Sequence, residues 1–209
     1  MTSRPYNSPA RAKAAEETRR RLVEMAGDLL AGEGGAPSME MVARAAGVTR
    51  LTVYKQFGSR RALFEMVFDE RALKGGLKRI HEVMAFEDPG TALDRLIEII
   101  CAFYASDPAI ARIHDACAAD EELKQAMAER AERRRKAIGV LLQRLRPIGG
   151  EDVVRRQSTI DLLFTLTTLP AYQSLSAGRT EVETCDLIKA AASAIISAEE
   201  RHISDIKRD

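Results

Sequence analysis

The sequence predicts an all-α protein in which a small three-helix domain is followed by a larger helical domain. Three observations support this prediction. Apolar residues recur at spacings of three and four along almost the whole chain, and no stretch shows the two-residue alternation of a half-buried strand. Glycine and proline interrupt this pattern at intervals that suit helices of ordinary length. The chain has 209 residues, 45% of them hydrophobic, which is enough to bury a substantial core.

Composition excludes several classes of protein. No run of about 18 apolar residues occurs, so no segment is expected to span a membrane. The N-terminus has charges but lacks the apolar core of a secretory signal, and we expect a cytoplasmic protein. The cysteines and histidines are scattered without metal-ligand spacing, so we predict no metal, no cofactor and no catalytic residues. The cysteines are interpreted as small buried hydrophobic residues, and a redox role is left open.

The net charge of +1 conceals an asymmetry along the chain. Residues 1–80 contain 15 Lys and Arg against 9 Asp and Glu, whereas residues 81–209 contain 17 against 22. A basic first part and an acidic second part indicate that only the first part meets a polyanion. An excess of this size also arises by chance, so charge alone does not decide the point.

The predicted elements follow from the apolar periodicity and its interruptions. Residues 1–12, with two prolines and two arginines, are interpreted as a flexible arm. Helices are expected, in order, at 14–31, 38–46, 49–56, from 60 onward, 91–106, 109–118, 120–146, 151–176 and 181–203. We assign residues 13–60 to the first domain and residues 61–209 to the second.

Gly75 and Gly76 interrupt the helix that begins near residue 60. Each glycine inside a helix costs roughly 1 kcal/mol relative to alanine. The pair therefore marks either a hinge within the helix that joins the domains or simply the end of that helix.

One segment of the first domain has the local signals of two short helices joined by a tight turn. Ser38 stands where an N-cap is needed, just before an apolar-periodic run. Gly47 follows the last turn of that helix, where a left-handed residue allows the chain to reverse. Thr49 can cap the second helix, whose inward positions are Val53 and Phe57, four residues apart. Together these signals predict a helix-turn-helix motif.

If Val53 and Phe57 face inward, the opposite side of the second helix carries an exposed polar and cationic edge. The side chains on that edge and its flanks are Arg50, Leu51, Thr52, Tyr54, Lys55 and Gln56. In a major groove, arginine reads guanine, glutamine reads adenine and an apolar side chain contacts the thymine methyl, which predicts base contacts for Arg50, Gln56 and Leu51. The hydroxyls and the lysine suit phosphate contacts, as does Arg60 at the start of the next helix. An ordinary helical hairpin with a solvated cationic face would show the same pattern.

The run SMEMVARAAGVTRLTVYKQFGSRRALFEMV, which starts at Ser38, closely resembles the N-terminal domain of the TetR family of transcriptional regulators. The resemblance covers about residues 14–70 and rests on Ala46, Gly47, Val48, Thr49, Thr52, Tyr54, Phe57, Arg60 and Leu63. It implies that the DNA-binding residues are Ser38, Thr49, Arg50, Leu51, Thr52, Tyr54, Lys55, Gln56 and Arg60. Position 51 is often glycine in the family, so Leu51 is expected to change the base preference or to crowd the groove.

The resemblance also implies a homodimer that binds a palindromic operator in double-stranded DNA, with a second domain for dimerisation and ligand binding. The family's dimer interface uses the last two long helices, which here implies Leu162, Leu166, Leu169, Leu187, Ile188, Ala191 and Ile195. Small alanines in the last helix would allow helices to approach closely. The same residues would also suit the core of a monomer.

Candidate effector contacts lie on helices of the second domain. They combine apolar and polar side chains, namely Phe103, Tyr104, His114, Cys117, Met127, Phe164, Thr168 and Tyr172. Such a set favours a hydrophobic or amphipathic small molecule, although methionine and aromatic residues at helical spacing also build ordinary cores. The run Arg133-Arg134-Arg135-Lys136 is interpreted as the solvated side of a helix rather than as a nucleic-acid patch.

The predicted function is transcriptional regulation, in the form of a repressor that a small effector releases from DNA. Two alternatives remain open. One is a regulator without small-molecule input, whose second domain serves only to dimerise or bind protein. The other is an α-helical enzyme, which would need a cluster of acid, base or metal-ligating side chains that the sequence does not display.

Overall fold

The computed structural model describes residues 9–145 and 153–206, with side chains up to residue 199. Its helices are α1 (Pro9–Leu30), α2 (Met39–Ala45), α3 (Arg50–Phe57), α4 (Arg60–Lys74), α5 (Ile80–Val83), α6 (Pro89–Ser106), α7 (Ala109–Ala118), α8 (Glu121–Leu145), α9 (Val153–Leu166), α10 (Leu169–Ser176) and α11 (Glu181–Ile206). A 3-10 turn, Leu77–Arg79, precedes α5. No β-strand occurs among the described residues, which confirms the all-α prediction.

The described residues form two compact units. The first unit contains the described residues through Arg71 together with Arg112–Ala126. The second unit contains Ala72–Ala111 and the described residues from Met127 onward. The boundary that the sequence suggested at residue 60 thus lies within the first unit.

The first unit extends beyond residue 60 because α4 contributes to its core. Leu63 and Phe64 are fully buried there, and a Cβ added to Gly27 of α1 would lie 3.4 Å from the side chain of Val67 in α4. Helix α2 packs against both α1 and α3. Residues 1–8 of the predicted arm lie outside the described residues, whereas residues 9–12 form the first turn of α1.

The core of the second unit is built around α6. Helix α11 packs against α6 and α9, and α5 also packs against α6. The fully buried residues at the centre of this core include Leu96, Ile138 and Ile188. The predicted helix break at residues 147–150 lies outside the described residues.

The long helix expected at 151–176 is divided into α9 and α10. Thr168 caps α10 by accepting a hydrogen bond from the N–H of Ala171 at 3.4 Å, and Pro170 lies in the first turn. Proline lacks the N–H that a continuous helix would use, so the chain restarts instead of continuing. Pro170, two residues after the threonine cap, was the sequence signal for this break.

Gly75 and Gly76 end α4 rather than lie inside it. The helix stops at Lys74, and Gly76 adopts φ 79°, in the left-handed region that favours glycine. Gly75 is needed for a different reason, since a Cβ at this position would lie 3.0 Å from Cε2 of Phe103 and 3.1 Å from Oγ of Ser106. Of the two sequence interpretations, the end of a helix describes this segment.

Candidate nucleic-acid interface and ligand cavity

Local capping places the two short helices of the motif. Ser38 caps α2, and its hydroxyl accepts a hydrogen bond from the N–H of Met41 at 3.2 Å. The turn after α2 passes through Gly47 at φ 67°, a conformation that glycine adopts at little cost. Thr49 then caps α3, since its hydroxyl accepts from the N–H of Thr52 at 3.2 Å. These contacts confirm the predicted helix-turn-helix motif.

Two inward side chains fix the orientation of α3. Val53 is fully buried and Phe57 is nearly so. The guanidinium of Arg19, from α1, lies 4.5 Å from the centroid of the Phe57 ring and donates a hydrogen bond to the backbone oxygen of Gln56. Arg19 therefore holds the last turn of α3 against α1. Sequence reasoning missed this residue because a contact across 37 positions leaves no local pattern.

The opposite side of α3 is open to solvent. Its exposed side chains are Arg50, Leu51, Tyr54 and Lys55, while Thr52 and Gln56 on the flanks are partly buried. Leu51 is 62% exposed, a costly position for a large apolar side chain. An edge of this kind has the size and polarity to enter a major groove.

Two internal contacts organise that edge. Nη2 of Arg50 donates to the hydroxyl of Tyr54 at 3.3 Å, and the guanidinium lies 5.3 Å from the centroid of the tyrosine ring. The hydroxyls of Thr49 and Thr52 are 2.9 Å apart and share one hydrogen bond. Since each hydroxyl has one proton, one of the two protons stays available for an external acceptor.

Arg60 is held by acceptors of the protein itself. Nη1 donates to Oδ1 of Asp120 at 3.2 Å and to Oε2 of Glu122 at 2.8 Å, while Nη2 donates to Oδ2 of Asp120 at 2.8 Å. Nε donates to the backbone oxygen of Pro37 at 3.1 Å. The hydrogen bonds from Arg60 hold the pKa of Asp120 below its usual range, against the opposing effect of burial. A phosphate contact by Arg60 thus requires the exchange of these acceptors.

The second unit contains a small, partly open cavity. About 160 Å³ of space lies between its walls, part of it continuous with solvent, and no part is wide enough for a water molecule. Its walls come from α6, α10, α11, the end of α9 and the residue that follows it: Ile97, Ile100, Cys101, Tyr104, Leu166, Thr167, Tyr172 and Ile188. The rings of Tyr104 and Tyr172 lie 5.5 Å apart in a tilted arrangement. A ligand in this space would have to displace side chains.

Only two of the predicted effector contacts line this cavity, Tyr104 and Tyr172. His114 and Cys117 belong to the first unit, so the structure does not bring them to the cavity walls. The hydroxyl of Thr168 is used to cap α10 and to donate to the backbone oxygen of Thr165. The remaining three predictions, Phe103, Met127 and Phe164, are partly buried side chains that do not line the cavity.

The arginine run of α8 is not simply solvated, as the sequence suggested. Arg134 donates from Nη1 to the hydroxyl of Tyr104 at 3.0 Å and lies 4.9 Å from the centroid of the Phe164 ring. Arg135 lies 4.1 Å from the same ring and forms an ion pair with Asp161. Both guanidinium groups therefore contact side chains of their own unit, whereas Arg133 is exposed.

The proposed dimer residues fall into two groups. Leu162 and Leu187 are exposed, at 53% and 36%, and Leu166, Ala191 and Ile195 are partly buried. Leu169 and Ile188 are buried in their own unit, at 5% and 1% exposed. A side chain that is already covered within one protomer offers little surface to a second, so the burial of these two residues does not fit the predicted role.

The three cysteines are free and buried, which agrees with their interpretation as small hydrophobic residues. Burial raises the pKa of the Cys117 thiol to about 12 and raises that of Cys101 as well. Little reactive thiolate is therefore present at neutral pH. In the part of the chain that the structure describes, no group of His, Cys, Asp and Glu side chains could hold a metal ion. Within the same residues, no helix is long and apolar enough to cross a membrane.

Comparison with known proteins identifies the first unit. Residues 26–67 match the family model of bacterial regulatory proteins, tetR family. This match spans the end of α1, the whole helix-turn-helix motif and the first half of α4. No curated protein is significantly similar to the chain in sequence.

Solved structures share the fold of the chain. A protein described as a TetR-family transcriptional regulator from Mesorhizobium loti has 20% sequence identity and a TM-score of 0.62, over 88% of this chain and 97% of that chain. NalD of Pseudomonas aeruginosa, the secondary repressor of the MexAB-OprM multidrug efflux pump, has 22% identity and a TM-score of 0.60, over 90% and 96%. A transcriptional regulator from Rhodococcus sp. Rha1 has 19% identity and a TM-score of 0.60, over 86% and 96%. The helix-turn-helix segment of this chain thus matches the tetR family of bacterial regulatory proteins, and the chain as a whole shares the fold of these solved structures.

Proposed function

We propose that this regulator is a repressor that binds a palindromic operator as a homodimer and is released by a small hydrophobic or amphipathic effector. The observation that supports the proposal most directly is the orientation of α3. Val53 and Phe57 anchor this helix inward, which leaves Arg50 and Tyr54 on an exposed edge. An α-helix held in this way fits the width of the major groove.

The exposed edge divides into base-reading and phosphate-binding side chains. Arg50 is proposed to read a guanine, Gln56 an adenine and Leu51 a thymine methyl. The proposed phosphate contacts are Ser38, Thr49, Thr52, Tyr54, Lys55 and Arg60. The hydroxyl of Ser38 accepts the N–H of Met41 and keeps its own proton for a phosphate oxygen. Arg60 joins this set when a phosphate replaces Asp120 and Glu122 as its acceptor.

The proposed dimer surface is the exposed side of α9 and α11. Besides Leu162 and Leu187, this side carries Val154 and Val182, which are among the most exposed apolar residues of the second unit. Apolar side chains that gain no cover within a protomer favour association of two copies. In a dimer bound to adjacent half-sites, the two copies of α3 would lie about 34–36 Å apart, one turn of DNA.

Release by an effector follows from linkage between two binding equilibria. A ligand that binds better to a spacing of the two α3 helices that does not fit DNA weakens the binding of DNA. By linkage, DNA weakens the binding of that ligand by the same factor. The cavity lined by Tyr104 and Tyr172 is the proposed effector site. Because this cavity is too narrow for even a water molecule, ligand entry must move its walls, and this movement is the proposed source of the signal.

The proposal is tested by a mobility-shift assay with DNA from the region upstream of the gene that encodes the chain. We expect a shift that requires two half-sites and that Val53→Asp abolishes, because a charge at a buried anchor displaces α3. The Leu51→Ala variant should still shift the DNA and should differ from wild type only in its base preference. A protein that binds no DNA at any salt concentration would contradict the function, and one that binds DNA but responds to no small molecule would be a constitutive regulator.

A further inference from the structure

Arg134 is a cation without an anion. One of its nitrogens, Nη1, donates to the hydroxyl of Tyr104, and its planar face lies against the ring of Phe164. Its Nε is hidden from solvent and has no hydrogen-bond partner. Among the described residues, no carboxylate forms an ion pair with it. The neighbouring Arg135, in contrast, pairs with Asp161 and Glu132.

This arrangement is costly for the protein alone. A buried donor that lacks an acceptor loses the hydrogen bonds it made to water, and a partly buried charge without a counter-charge loses more. Proteins rarely keep such groups unless a ligand, an ion or a function uses them. The edge formed by Nε and Nη2 of an arginine is also the one that binds a carboxylate through two parallel hydrogen bonds. This edge of Arg134 is therefore available to an anion from outside the protein.

Tyr104 connects Arg134 to the cavity of the second unit. Its hydroxyl accepts the hydrogen bond from Arg134 and donates one to the backbone oxygen of Thr167 at 3.1 Å. Tyr104 is a cavity wall, so the positive group stands behind that wall. Other walls, which include Ile97, Ile100 and Ile188, are apolar. The cavity is thus an apolar space with a cation behind one of its walls.

We propose that the effector is an amphipathic anion, a molecule with a carboxylate head and an apolar body. The carboxylate accepts hydrogen bonds from the Nε and Nη2 edge of Arg134 and from the hydroxyl of Tyr104, which turns away from the backbone oxygen of Thr167 to donate to it. The apolar body lies among the isoleucines of α6 and α11. This inference rests on the proposed effector function and adds the chemical class of the ligand. It is also consistent with the narrow cavity, because the ion pair with Arg134 offsets the cost of displacing Tyr104.

The test uses pairs of ligands that differ only in the head group. Octanoate and 4-butylbenzoate are compared with octanol and 4-butylbenzyl alcohol, and octylamine supplies the opposite charge. Affinities are measured by titration calorimetry on the full chain, with thermal shift as a second readout. We expect the carboxylates to bind at least about tenfold more tightly than the alcohols, and the amine to bind worst, since charge-assisted hydrogen bonds to arginine are worth more than neutral ones.

Variants of Arg134 and Tyr104 distinguish binding at this site from general hydrophobic binding. Arg134→Gln should weaken the carboxylates about tenfold or more and leave the alcohols unchanged, whereas Arg134→Lys should retain part of the preference because it retains the charge. Tyr104→Phe should cause a smaller loss, and it reports on the site even if Arg134→Gln does not fold. Arg133→Gln is the matched control, since it removes an exposed charge from the adjacent position of α8.

The outcomes distinguish the inference from the function on which it rests. Carboxylates that bind no better than the alcohols, or equally well to Arg134→Gln, overturn the anionic class. If an uncharged or cationic compound then releases the protein from DNA, the effector function stands without the anion. If the carboxylates bind at Arg134 but leave DNA binding unchanged in a mobility shift, the site is real and the effector role is not.

Discussion

Arg60 and Asp120 form a two-point ion pair, with Nη1 to Oδ1 at 3.2 Å and Nη2 to Oδ2 at 2.8 Å. The side chains are only 20% and 26% exposed, so solvent screens this pair less than most surface pairs. The pair connects the first residue of α4 to the residue that precedes α8, within one compact unit. Arg60 therefore helps to hold α4 in place behind α3.

Asp120→Asn should destabilise the protein by about 1–2 kcal/mol at neutral pH, because it removes the charge that Arg60 binds. The folded-state pKa of Asp120 is depressed by Arg60. Its contribution is therefore fully present above the ordinary aspartate pKa of about 3.9 and is lost as pH falls through the lower folded value. Urea unfolding at pH 7, 5, 4 and 3 should show a constant difference from wild type down to about pH 5 and a smaller one below about pH 4.

Asp115→Asn is the control for this pH series. Its side chain is 78% exposed and its contact with His114 is long, at 3.4 Å, so the substitution should change stability by less than about 0.5 kcal/mol. A destabilisation by Asp120→Asn that persists undiminished at pH 3 would show that the asparagine disturbs packing rather than the ion pair.

Arg60→Ala should weaken binding to all DNA sequences alike and reduce the slope of log K against log salt by about one unit for each half-site. A phosphate contact carries no base information, so discrimination between operator and mutated operator should stay at the wild-type value. Fluorescence anisotropy across a salt series measures both quantities. A loss confined to the operator sequence, or a slope that does not change, would leave Arg60 with a structural role only.

The helix-turn-helix was predictable because its determinants are local. Ser38 and Thr49 form caps with residues three positions away, and Gly47 sets the turn by its own backbone angle. The contacts of Arg19, Arg60 and Arg134 join residues far apart in sequence, and no periodicity reports such pairings. This is why Arg60 was expected to be free for DNA and Arg134 to be solvated. The cavity residues are unpredictable for the same reason, since packing of distant helices decides which faces meet.

Arg50→Ala should cost about 1–3 kcal/mol at the operator and relax the base preference at one position of each half-site. Arg50 lies against Tyr54, so its side chain is held on the exposed edge of α3. Lys55→Ala is the matched comparison, because loss of a phosphate contact from the same helix should weaken all sequences equally. Binding to a library of half-site variants separates the two patterns. Wild-type discrimination in Arg50→Ala would exclude it as a base reader.

Gly75→Ala should destabilise the second unit by about 1–3 kcal/mol, since the added methyl group overlaps the ring of Phe103. Gly34→Ala is the control, because nothing lies within 4 Å of a Cβ there and its backbone is not left-handed, so stability should stay level or rise by less than about 1 kcal/mol. Thermal unfolding measures both. If Gly75→Ala is as stable as wild type, the ring of Phe103 moves freely and close packing does not explain the glycine.

Leu162→Glu should convert the proposed dimer into monomers and abolish operator binding without unfolding the chain. Leu162 is 53% exposed on α9, so a carboxylate there meets water in a monomer but would be buried without a partner in the proposed interface. Val140→Glu on α8 is a close match, because Val140 is 51% exposed and lies outside the proposed surface. Sedimentation equilibrium of the two variants decides the point, with circular dichroism to confirm that both are folded. Dimers in Leu162→Glu with monomers in Val140→Glu would move the interface from α9 and α11 to the exposed face of α8.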